Sequence, residues 1–298
     1  MGKSKRGSGP RPGSNRAERV AARRDRQSAA MAPPPRPFAG LAAECDLVAL
    51  RTFVASATSP VTVRSDVHGD NEVRLATILP GAVGAVGREQ VGLAALQTDP
   101  VPDDVAGGLG AALAWAVSAA ADDTFSAGDE SIPLAEVIDP DQQLEITVHD
   151  DFRWWFADAE PPAEIRQMVE QAGESILPTA RLDVEGPGAP WWVDAGERAH
   201  LRWIRPEDED AVMSALARVH AAGGLTLGEG SRFAGSFRTH GLLVPVFDLD
   251  PEMHPDEWLP GCAEFDRQLT QALAQTGDLS TAERRSRDGI RGRQVTLR

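Results

Sequence analysis

The sequence predicts an α+β fold of two lobes, short mixed or antiparallel strands with packed helices, behind a disordered basic N-terminal tail. Three observations carry this expectation. Helix start and stop signals alternate with short apolar runs of strand length. The hydrophobic content of 42% is enough for a real core. The 298 residues exceed one typical core, at roughly 150 residues per domain.

Taken in order, residues 1–37 combine Gly, Ser, Pro and Arg with almost no large apolar side chains. Such a segment cannot bury enough surface to offset its ordering entropy. Residues 41–54 carry apolar side chains on one helical face, ended by Ser59-Pro60. Strand-like runs follow at 61–63, 73–79 and 91–96, with a glycine-rich turn over 80–92. A helix is predicted from 102 or 103 to 121, with acids in its first turn, where they favour the positive end of the helix dipole. Residues 144–156, LEITVHDDFRWWF, read as a strand, and Pro161-Pro162 opens a helix to about 172. The Gly- and Pro-rich 185–190 reads as a linker. Pro206, four acids after it and Gly223-Gly224 at the far end delimit the clearest helix. Short strands near Leu225, Phe233 and 242–247 lead to a last helix over 255–275. The expected organisation is a tail at 1–37, lobes at 38–184 and 185–282, and a basic segment at 283–298. Both lobes run helix, three short strands, helix, which suggests an internal duplication.

Charge divides the chain. Residues 1–37 hold ten Lys and Arg against two acids, 38–282 hold 14 Arg against 41 acids, and 283–298 hold six Arg against two acids. So acidic a body repels phosphate backbones within a Debye length, about 8–10 Å in physiological salt. A nucleic-acid or ribosome contact is therefore expected of the tail, through Lys3, Lys5, Arg6, Arg16, Arg19, Arg23, Arg24 and Arg26. The competing readings are a solubilising tail and a tail folded back on the acidic body.

Two absences exclude whole chemistries. The chain has no tyrosine, and its only lysines are Lys3 and Lys5. A Walker A loop or a Schiff base in the body has no lysine to use. No GxSxG, HExxH or GxGxxG motif is present, and no cofactor is expected. Cys45 and Cys262 lack metal or disulfide spacing and read as buried apolar residues. No apolar run reaches the length of a membrane span and no secretory signal is evident, so a cytoplasmic location is expected.

Asp248, Asp250 and His254 are a candidate Mg²⁺ or Mn²⁺ ligand set, because hard carboxylate oxygens suit those ions. The alternative makes Asp256 and Glu257 first-turn helix acids and Asp250-Pro251 a turn. His149, Asp150 and Asp151 offer a base with an orienting carboxylate, or a solvated strand end. The pairs Trp154-Trp155 and Trp191-Trp192, if on strands, place one ring in the core and one outside, on a candidate aromatic surface. The alternative is that the other lobe covers both rings.

The opening MGKSKR, the stretch PFAGLAAECDLVALRTFVASAT at 37–58 and the closing GIRGRQVTLR at 289–298 together resemble an actinobacterial domain-of-unknown-function family spanning essentially the whole chain. The resemblance implies a fold extent and no activity. Members carry labels such as topoisomerase II or preprotein translocase subunit; this chain has neither the tyrosine of the first nor the Walker A lysine of the second. The leading expectation is a non-catalytic cytoplasmic accessory protein whose tail contacts RNA, a ribosome or DNA. The alternatives are a metal-dependent hydrolase at Asp248, Asp250 and His254, and a chaperone or adaptor using exposed tryptophans.

Overall fold

The computed structural model describes residues 36–128, 130–156 and 161–296. Among the described residues, helix α1 (Glu44–Thr52) comes first, and it buries Leu47, Val48 and Leu50. Strands β1 (Ala57–Val61), β2 (Glu72–Ile78), β3 (Ala85–Arg88) and β4 (Val91–Gln97) follow. With β5 (Thr124–Phe125) and β6 (Thr147–Val148) they form a six-stranded sheet in the order β5-β3-β4-β2-β1-β6. Helix α2 (Val105–Ala116) packs across β4 and β3, capped where Asp104 accepts from the Gly107 N–H. A Cβ on Gly92 would stand 2.2 Å from the Ala116 carbonyl oxygen, so glycine is what lets strand and helix end approach so closely. Two shorter helices, α3 (Leu134–Val137) and α4 (Ala163–Gly173), complete this half.

The second half forms a sheet from β7 (Thr179–Arg181), β8 (Ala189–Asp194), β9 (Ala199–Ile204), β10 (Arg232–Thr239), β11 (Leu242–Leu249) and β12 (Gln294–Thr296). Its order is β12-β10-β11-β9-β8-β7. Helices α5 (Glu209–Ala221), α6 (Leu259–Leu273) and α7 (Thr281–Arg291) accompany it. Strand alternation sends Leu201, Trp203 and Phe247 into a core shared with Leu216 and Phe265 of the helices. The opposite face sends Ala189, Trp191, Ile204 and Val244 into a second core shared with Phe38, Leu50 and Leu113 of the first half.

Ions reinforce that junction. Arg181 reaches Asp46 at 2.9 Å, and Arg36 bridges Glu44 at 2.6 Å and the Pro206 carbonyl at 2.9 Å. Arg36, placed in the tail by composition, is thus anchored in the folded unit of residues 36–298. The cations Lys3, Lys5, Arg6, Arg16, Arg19, Arg23, Arg24 and Arg26 lie outside the described residues.

Several expectations need correction. The stretch 144–156 is not one strand: only Thr147–Val148 pairs, and Arg153–Phe156 is a 3₁₀ turn. Asp151 accepts from the Arg153 N–H at 2.9 Å, and this local bond competes with strand pairing despite the β-favouring aromatics. The glycine-rich 80–92 contains β3, and the β8–β9 hairpin begins where a linker was expected. Leu225 lies outside any strand. The two sheets share the order of their central strands, β3-β4-β2-β1 and β10-β11-β9-β8, but differ in one direction: β2 and β4 pair in parallel, whereas β9 and β11 are antiparallel, with α5 intervening before β10.

Both cysteines are buried free thiols, and burial pushes each pKa up to about 12, so neither ionises at neutral pH. Among the described residues, no helix is long and apolar enough to cross a membrane.

Candidate functional site

One end of the second sheet stays open on the face turned towards α1. His200 and Arg202 alternate with the buried Leu201 and Trp203 along β9, so both point to that face. Across the ladder, Asp248 stands opposite His200 and Val246 opposite Arg202. A bulge between Phe233 and Gly235 turns β10 over the next row. Gly235 has φ +152° and would bring a Cβ to 2.9 Å from the Arg293 carbonyl, so its lack of a side chain admits the chain leading into β12. Thr52 and Phe53, at the end of α1, close the remaining side. The result is a cavity of about 440 Å³ lined by Phe53, His200, Arg202, Ser236, Asp248 and Arg293 among others.

Its polar groups differ in how well they are satisfied. Asp248 Oδ2 accepts from Arg198 at 2.8 Å and from Arg232 at 2.5 Å. Burial alone would raise its pKa, but those two bonds hold it below the usual carboxylate range. His200 Nδ1 lies 3.2 Å from Asp248 Oδ1 without hydrogen-bond alignment. Arg202 sits over the Phe53 ring at 5.1 Å. Burial lowers its pKa and no charged neighbour opposes the shift. Ser236, opposite Pro245 and next to Phe237, turns its side chain to the other face of the sheet, where its Oγ bonds nothing among the described residues.

The expected metal set is not assembled. Asp248 is taken by two arginines, Asp250 accepts from the Glu252 N–H at 3.0 Å, and His254 caps the 3₁₀ turn Pro255–Trp258. Among the described residues no group of three His, Cys, Asp or Glu side chains is placed to hold an ion. Helix-start chemistry explains the cluster: His254 Nδ1 accepts from Asp256 while Glu257 returns to the His254 N–H at 2.7 Å.

The tryptophan pairs behave differently from each other. Trp191 is 0% exposed and Trp192 is 8% exposed, so both leave the candidate aromatic surface: β8 lies between the two cores and each ring enters one. Trp154 and Trp155 lie on the 3₁₀ turn and are half-buried against the first sheet. The Trp154 indole N–H donates to Ser56 Oγ at 2.8 Å, and that of Trp155 to the Ile78 carbonyl at 3.0 Å.

His149 stacks on Trp154 and bonds Thr58 Oγ1 through Nε2 at 2.9 Å, while the Asp151 carboxylate turns to Arg153. Burial lowers the His149 pKa, with Asp151 and Asp150 opposing in part; burial, then Arg51, lowers that of His240. The folded state therefore binds fewer protons than the unfolded chain. This stabilisation is complete above the unfolded value of about 6.5 and is lost as pH falls through the lower folded values. We expect the melting temperature to drop below about pH 6.5, with His240→Gln flattening the decline; parallel profiles in that variant and the parent would refute the assignment.

Compared with known families, residues 37–298 match the model described as Family of unknown function (DUF5926). The chain belongs to this family. DUF5926 thus covers both sheets, the shared core and the cavity. No curated protein and no solved structure matches the chain. Sequence reasoning singled out Asp248 in this cavity and missed His200, Arg202, Ser236 and Arg293. The only local signal was the alternation of polar and apolar residues over 199–204.

Proposed function

We propose that this DUF5926 member is a non-catalytic cytoplasmic accessory protein whose basic segment contacts a polyanion: RNA, a ribosome or DNA. The observation that carries the reading is the partition of charge, ten cations against two acids in residues 1–37 and 14 against 41 in 38–282. The folded unit also spends many of its cations internally. Arg181, Arg205 and Arg238 each pair with a carboxylate of the same unit, as do Arg198 and Arg232 with Asp248. This reading assigns phosphate contacts to the basic segment before that unit. The hydrolase alternative loses support with its ligand set, since Asp248 is committed to arginines.

The test is co-sedimentation with ribosomes and gel-shift with RNA and DNA. It uses the full chain, a form lacking residues 1–35, and a form with Lys3, Lys5, Arg6, Arg16, Arg19, Arg23, Arg24 and Arg26 changed to Gln. Association should weaken by about 10³-fold or more between about 50 and 200 mM salt and vanish in both altered forms. Equal binding with and without the cations defeats the proposal.

A further inference from the structure

We propose that the cavity on the second sheet binds a small organic anion, a carboxylate or phosphate carried on an apolar body, with Arg202 as its counter-ion. Arg202 and Arg293 differ from the other arginines of this region in pairing with no carboxylate among the described residues. Arg198 and Arg232 share Asp248, and Arg205, three residues along, holds two carboxylates. Arg202 is half-buried, and only the Phe53 ring lies against its guanidinium. A partly desolvated charge without a counter-ion works against folding, and such a cost is retained where a ligand supplies the missing charge.

Arg293 adds a second guanidinium to the lining. Asp248, the one acid there, is already neutralised by Arg198 and Arg232, and it faces His200. The local charge therefore favours an anion although the body as a whole is acidic.

Size and lining define the rest of the ligand. About 440 Å³ falls within the range of small-molecule sites, roughly 300–1,000 Å³. Phe53, Phe237 and Val246 supply an apolar wall. With no carboxylate partner, the Arg202 guanidinium over Phe53 keeps N–H groups for a two-oxygen acceptor. The site does not depend on the basic segment, so its failure and that of the accessory reading are separable.

Titration calorimetry of the full chain with benzoate, phenyl phosphate and the neutral benzamide tests this. One of the two anions should bind saturably, the better one identifying the headgroup, and benzamide should bind at least about tenfold more weakly. Arg202→Met should weaken the anion by about tenfold or more while keeping or raising the melting temperature. Three results overturn the proposal: neither anion saturating below about 10 mM, unchanged affinity in Arg202→Met, or a fall in its melting temperature that marks Arg202 as structural.

Discussion

Replacing Arg205 with methionine should destabilise the protein by about 3–5 kcal/mol, measured as the change in unfolding free energy in urea. The side chain is 0% exposed. It donates to Asp266 at 2.6 Å and to both oxygens of Glu207, at 2.5 and 3.1 Å. Its guanidinium also lies over the Trp203 ring at 5.5 Å. Removing the cation leaves Asp266, 8% exposed, as a carboxylate without a partner in low dielectric. The destabilisation comes from that abandoned charge more than from the lost attraction. The triple variant Arg205→Met, Glu207→Gln, Asp266→Asn should therefore regain much of the loss. A triple variant no more stable than the single would show that the arginine's packing, not the charge balance, matters. Arg202→Met is the contrasting case, since it leaves no carboxylate stranded.

Trp191→Ala should cost about 3–5 kcal/mol, the range for truncating a fully buried aromatic. Trp191 sits on β8 of the second sheet, yet its ring belongs to the core built mainly by the first half, edge-on to Phe53 at 6.5 Å. Its indole N–H donates to Asp46 on α1 at 3.1 Å, and Asp46 also holds Arg181. The substitution thus opens a void at the junction of the two sheets and removes a bond across it. Trp191→Phe, which keeps a ring but strands part of the Asp46 bonding, should cost about 1–3 kcal/mol. Chemical denaturation monitored by circular dichroism separates the cases. An alanine variant within about 1 kcal/mol of the parent would mean that the two sheets do not share this core.

The two variants probe what was not legible locally. Trp191 and Trp192 were readable as one ring in and one ring out, and the alternation itself holds on β8. The outer face is covered, as the alternative reading had it, by residues of the first half such as Phe38 and Leu50. Arg205 precedes the predicted α5 and looks like an ordinary surface cation; Asp266, which holds it, lies on α6. Likewise the apparent metal cluster at 248–254 divides once the backbone is laid out. Asp248 ends a strand and faces arginines from β10 and the turn before β9, whereas His254 starts a helical turn.

What the sequence by itself determined is the local grammar and the charge plan. Capping aspartates mark α2 and α5 and apolar residues mark α1, because helix signals act within a few residues. Missing lysine and tyrosine exclude chemistries wherever the chain goes. Tertiary structure alone decided which charges are paired, which tryptophans are covered, and that His200, Arg202, Ser236 and Arg293 line one cavity. The reason is physical: burial and counter-ion distance depend on contacts between strands and helices far apart in sequence, and no local pattern encodes them.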